Sequence, residues 1–210
     1  MMKLLLILFL ALGFSVSAQE DSPLIPTSRA KIPSDPIEKV TTAKLMEFDR
    51  NGQFNPQRVI SRAELATILV RTFNLNKRRT NQPPIVVKDV AKNHWAYDSI
   101  QTVIRTGVMA GYDKGLFYPN QRINRAEAIA SFANAYGVFQ FPDVTVQKIL
   151  SQYPDAKDIP GWGKRSIATA LYEGLVDVDE QNRIRPLEPM TRLDMAKLLS
   201  LYLSLQQDNK

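Results

Sequence analysis

A mainly α fold of three helix–loop–helix repeats is what this sequence predicts, and three observations lead there. First, three segments superpose without gaps: FNPQRVISRAELATILVRTF from Phe54, FYPNQRINRAEAIASFANAY from Phe117 and IRPLEPMTRLDMAKLLSLYL from Ile184. In each, a Pro (Pro56, Pro119, Pro186) stands six residues before an Arg (Arg62, Arg125, Arg192), and an acid (Glu64, Glu127, Asp194) follows that Arg by two. Second, the likeness extends upstream in two copies: Trp95 and Trp162 each lie 30 residues before the Arg, and Gly107 and Gly174 each lie 18 before it. Third, the stretches between these landmarks carry apolar residues at helical spacing. The copies are offset by 63 and 67 residues, so each unit is larger than one helical hairpin.

The elements follow in order. Residues 1–18 read as a signal peptide, with Lys3 ahead of an apolar run from Leu4 to Leu12 and small residues ending at Ala18. That run is too short to remain as a membrane span, so an exported chain with no transmembrane segment is expected. Residues 19–34 form a linker, and 35–76 are the first repeat, a degraded copy in which Ile32 stands where the others have Trp. Its first helix starts at Asp35-Pro36, with Glu38 completing a capping box. A linker over 77–86 carries Lys77-Arg78-Arg79 and Pro83-Pro84 and reads as a solvated segment, with contact to a phosphate-bearing polymer as the other reading. The second repeat spans 87–138, with Ile100, Val103 and Ile104 on one face of its first helix. An inserted helix lies within 139–157, and the third repeat spans 158–205, with Ile167, Ala168 and Leu171 on the matching face. Residues 206–210 are a tail.

The second helix of each repeat has a stated start. Ser61, Asn124 and Thr191 precede the Arg, and Glu64, Glu127 and Asp194 come three residues after the cap, the spacing of a reciprocal capping box. These six residues are therefore read as structural. The Arg is read differently, because a cation at the positive end of a helix is disfavoured by about 0.3–1 kcal/mol and yet all three copies keep it. One reading is an anion site, where helix-terminal N–H groups and a guanidinium fork converge. The other is an ion pair between repeats. Trp95 and Trp162 likewise divide between core anchors for the first helix and flat faces for a sugar ring.

Composition narrows the function classes. There is no cysteine, which excludes disulfides, thiolate metal sites and a lipid anchor on a terminal Cys. The 27 Lys+Arg against 21 Asp+Glu leave a mild positive bias that would help an acidic partner approach. The segment from Asp49 opens like a calcium loop but has Phe54 at its sixth position and Ile60 at its twelfth. No phosphate loop, HExxH or GxSxG pattern occurs, and the one histidine, His94, has no partner pattern. No catalytic residue, cofactor or metal is expected, and no nucleic-acid partner.

The assembled residues resemble the S-layer homology domain. The second copy carries nearly its whole motif: Asp89-Val90, His94-Trp95-Ala96, Gly111-Tyr112-Asp113, Gly115, Phe117, Pro119, Ile123 and Asn124-Arg125-Ala126-Glu127. The first keeps Gly52, Phe54, Pro56 and Ser61-Arg62-Ala63-Glu64; the third has Asp158-Ile159-Pro160, Trp162, Gly174 and Thr191-Arg192-Leu193-Asp194. The resemblance implies three repeats packed as a pseudo-threefold prism, with glycan held in the grooves between them. It implies an anionic cell-wall polysaccharide or peptidoglycan-linked polymer as partner, bound without enzymatic action, at the periplasm, cell wall or cell surface. Carried over by position, the glycan-binding residues are Arg62, Arg125 and Arg192, with Trp95 and Trp162 as groove walls. The third copy lacks the Gly-Tyr and Asp-Gly turn, so fewer than three competent sites are expected, the best involving Arg125. The other reading is a periplasmic scaffold or adaptor that recruits another envelope protein. With no second region after Leu205, a free-standing wall-associated factor is the expected form.

Overall fold

Four of the helices among the described residues begin where a local side chain accepts from an orphan amide. The structure, a computed structural model, describes residues 35–208; the expected signal peptide and N-terminal linker lie outside the described residues. Helix α1 (Pro36–Thr42) opens with Asp35 Oδ1 accepting the Glu38 N–H at 2.8 Å, and Pro36 fills a first-turn position that needs no donor. Helices α2 (Arg62–Phe73), α4 (Arg125–Tyr136) and α7 (Arg192–Asp208) are the second helices of the three repeats. Helices α3 (Tyr97–Arg105) and α6 (Lys164–Tyr172) are the first helices of repeats two and three, and α5 (Asp143–Leu150) lies between α4 and α6 in the chain.

The helices pair across repeats. Helix α2 of the first repeat packs on α3 of the second, α4 of the second on α6 of the third, and α7 of the third on α1 of the first. The ring is closed at its centre by three backbone hydrogen bonds. Ile60 N–H donates to the Met190 carbonyl at 3.0 Å, Met190 N–H to Ile123 at 2.9 Å, and Ile123 N–H to Ile60 at 3.2 Å. These three residues are equivalent in the aligned copies and almost wholly buried, so a pseudo-threefold axis runs through them. The second helices also meet through Phe73, Phe132 and Tyr202, whose ring centroids lie 5.0–5.5 Å apart. The architecture is a mainly helical prism in which no repeat holds its core alone.

The ends of the first helices report the degraded copy. Gly107 and Gly174 stop α3 and α6 in the left-handed region (φ 71° and 68°), each donating to a carbonyl three residues back at 3.0 Å. Lys44 holds the equivalent place after α1 with φ 58° and the same bond to Thr41. A side chain there costs about 1–2 kcal/mol, against about 0.5–1 kcal/mol of extra chain entropy that Gly brings to the unfolded state. Lys44 is exposed and has no packing to lose. Lys44→Gly should therefore stabilise the fold by about 0.5–1 kcal/mol. Urea unfolding midpoints check this, and a lower midpoint would contradict it.

Candidate functional site

The three motif arginines occupy equivalent positions and tie each repeat to the next. Arg62 donates through Nε to the Phe117 carbonyl and through Nη2 to that of Ala110, both at 2.7 Å. Arg125 does the same to Ile184 (2.9 Å) and Asp177 (2.7 Å), and Arg192 to Phe54 and Glu47 (both 2.6 Å). All three are buried, at 6%, 2% and 8% exposure. Burial pulls each guanidinium below its ordinary pKa, partly offset by nearby carboxylates. The remaining Nη1 of Arg125 pairs with Asp194 at 3.2 Å, and that of Arg192 faces Glu64 at 3.9 Å. Two of the three arginines therefore face an acid of the next repeat, and all three donate to that repeat's backbone carbonyls.

The helix N-termini do not present free donors. The N–H groups of Arg62 and Ala63 donate to Gln121 and Pro119, those of Arg125 and Ala126 to Glu188 and Pro186, and those of Arg192 and Leu193 to Arg58 and Pro56. All six bonds are 2.8–3.0 Å long and cross between repeats. The next amide is used locally: Ser61 Oγ accepts from Glu64 N–H at 3.3 Å, Asn124 Oδ1 from Glu127 at 2.8 Å, and Thr191 Oγ1 from Asp194 at 3.1 Å. Each acid accepts from its cap residue's N–H in return, at 3.0–3.1 Å. The backbone donors offered to an anion in the sequence reading are consumed by the neighbouring repeat and the cap.

The two tryptophans are not core anchors. Trp95 is 64% exposed and Trp162 62%, each just ahead of a first helix whose apolar stripe is filled by others. Trp95 stacks on His94, with centroids 5.6 Å apart. It forms one wall of an open groove of about 550 Å³, whose other sides are the first repeat's loop, α2 and Arg192. Arg50, Arg58 and Arg71 also line it, with Glu47, Asp49 and Glu64. Trp95 therefore shares a groove with Arg192, while Arg125 and Trp162 lie elsewhere. Sequence reasoning missed Arg50, Arg58 and Arg71, which are outside the motif. Their equivalents are Asp113, Gln121 and Asn134 in the second copy and Glu180, Glu188 and Leu201 in the third, so these three positions are basic in the first copy alone.

The fold repairs the Asp-Gly turn missing from the third copy, and it moves the role read for Asp158 to another acid. Asn182 takes the left-handed conformation (φ 58°) that Gly52 and Gly115 take (72° and 74°), so the loop turns without glycine. Asp89 accepts from Phe117 and Tyr118 N–H at 2.9 and 2.7 Å, and in the third repeat Asp155, not Asp158, does this for Ile184 and Arg185 at 3.0 and 2.7 Å.

Arg58 grips the Glu64 carboxylate through both Nη atoms. Burial alone would raise the Glu64 pKa, but the Arg58 fork and the Ser61 N–H outweigh it and hold the group below its ordinary value. The folded pKa is depressed, so the contribution to stability is present above the unfolded value of about 4 and is lost as pH falls through the folded one. Urea unfolding measured from pH 6 to pH 2 should show this fall, and Arg58→Gln should flatten it. An unchanged slope in Arg58→Gln would contradict the assignment.

Among the described residues, no group of three or more His, Cys, Asp or Glu side chains could hold a metal ion. No helix among them is long and apolar enough to cross a membrane. A family model described as the S-layer homology domain matches residues 30–66, 88–129 and 152–196. The surface-layer 125 kDa protein of Lysinibacillus sphaericus is 29% identical over 167 residues, covering 78% of this chain and 13% of that protein. S-layer protein EA1 of Bacillus anthracis is 28% identical over 151 residues, 72% of this chain and 16% of its own length. Exoglucanase XynX of Acetivibrio thermocellus is 23% identical over 166 residues, 79% and 15% respectively. The chain thus spans less than a sixth of each of these relatives.

Proposed function

The chain belongs to the S-layer homology domain family, and from that premise we propose that it anchors at the bacterial cell surface by gripping an anionic wall polysaccharide in the groove between Trp95 and Arg192. The observation that carries this reading is the pairing of a solvent-facing indole with a basic wall in one open groove. A sugar ring can lie on the Trp95 face, and an acidic substituent can meet Arg50 or displace Glu47 from its 2.8 Å pair with Arg71, with Arg192 supplying the charge behind them. Arg62 and Arg125 act in this reading through the repeat interfaces, and Trp162 is the exposed indole at the position equivalent to Trp95. The function is non-enzymatic binding; the catalytic names among the relatives belong to proteins of which this chain matches only a small part. The test is co-sedimentation of the mature chain with wall sacculi. Binding should be retained with the acidic polymer present and lost when acid strips it. Equal binding to stripped sacculi would contradict the polymer assignment, and no binding to either would favour a protein partner.

A further inference from the structure

A second basic site lies at the other end of α2 from Arg62, about 18 Å along a helix of 12 residues. A depression of about 360 Å³ is lined by Lys77, Arg78, Arg79 and Arg105, and every charged side chain on its wall is a cation. The nearest acid in the adjoining hollow is Asp98. The sequence reading makes 77–86 a solvated linker, but this segment is fastened to the helices beside it. Arg78 donates to the Ala135 carbonyl, Arg105 Nε to Gln82 at 2.8 Å, and Thr80 Oγ1 to Arg105 at 2.9 Å. Gln101 holds both backbone groups of Ile85, at 2.7 and 3.0 Å. The segment's backbone and two of the four cations, Arg78 and Arg105, are therefore held before any ligand arrives, which lowers the ordering cost of binding.

The chemistry of the wall restricts the ligand. The hydroxyls of Thr80, Thr102 and Thr106 all donate to backbone carbonyls. The side-chain donors left for a ligand are the guanidinium and ammonium groups and the amide of Asn76. Lys77 and Arg79 make no ion pair or side-chain hydrogen bond among the described residues. Four cations without a facing acid repel one another, and a neutral sugar would not relieve that. We propose that this depression binds a phosphate-bearing group. A phosphate carries up to two negative charges and three acceptor oxygens, and matches an Arg fork. One carboxylate would leave most of the charge unmet.

The probe is tripolyphosphate, followed by calorimetry and by amide shifts of the mature chain, with Lys77→Gln/Arg79→Gln as the variant. Those two side chains hold nothing in the fold, so its melting temperature should match the wild type. Affinity should fall roughly thirtyfold for two lost cations, with wild-type shifts confined to residues 75–80 and 102–106. Trp95→Ala, which addresses the proposed glycan groove, should bind tripolyphosphate as the wild type does. Competition by a phosphodiester-linked polyol polymer would place the phosphate on a wall polymer, and competition by phosphatidylglycerol vesicles would place it on lipid; either supports the site. Unchanged affinity in the double variant, shifts mapping to the Trp95 groove, or equal competition by polygalacturonate would overturn it.

Discussion

Arg125→Met should lower stability by about 3–5 kcal/mol, a fall in melting temperature of roughly 6–20 °C for a chain of this size. The side chain is 2% exposed and bridges two repeats through the Ile184 and Asp177 carbonyls. Its loss leaves two carbonyls without their donor, at about 1–3 kcal/mol each if water cannot reach them, and strips Asp194 of the partner 3.2 Å away. Methionine refills part of the volume, so the loss is chiefly polar. Against this stands the relief of removing a cation from the positive end of α4, about 0.3–1 kcal/mol. The tether outweighs it. Thermal and urea unfolding check the result, and a melting temperature within a degree or two of wild type would show that the interface does not depend on this arginine.

Trp95→Ala should do the opposite, leaving the melting temperature nearly unchanged and weakening binding to an acidic wall fragment by about 2 kcal/mol, or roughly thirtyfold. At 64% exposure the indole contributes little burial to the fold, yet it is the largest flat face in the groove it shares with Arg192. Calorimetric titration checks the affinity. An affinity within twofold of wild type would remove Trp95 from the site.

How much of this was legible follows from the range of each interaction. The starts of α2, α4 and α7 could be read because a cap and an acid three residues on obey a local rule, and Gly107 and Gly174 marked helix ends for a similarly local reason. The closure through Ile60, Met190 and Ile123 joins residues more than sixty positions apart, and nothing in one segment announces it. The role of Arg125 was ambiguous because the donors that could meet a ligand are the same ones that meet a carbonyl of the next repeat. Trp95 was ambiguous because an aromatic before a helix has the same spacing whether it is buried or exposed. Arg50, Arg58 and Arg71 could have been found by comparing the aligned copies outside the motif, since at these three positions the first alone is basic. Asp155 was hidden because it lies one residue further from its Arg than Asp89 does, with Asp158 nearby as a decoy.

In the proposed function, ligand seats against Trp95 while the buried arginines hold the prism closed. The chain has two tryptophans, so Trp162→Phe leaves Trp95 as the sole indole reporter at the first groove. Titrating acidic wall fragments into that variant should give a saturable blue shift and change in intensity, as the exposed ring is covered, with the same midpoint as calorimetry. Binding by calorimetry with no change in Trp95 emission, or a change seen only in the converse Trp95→Phe variant that reports from Trp162, would contradict the account.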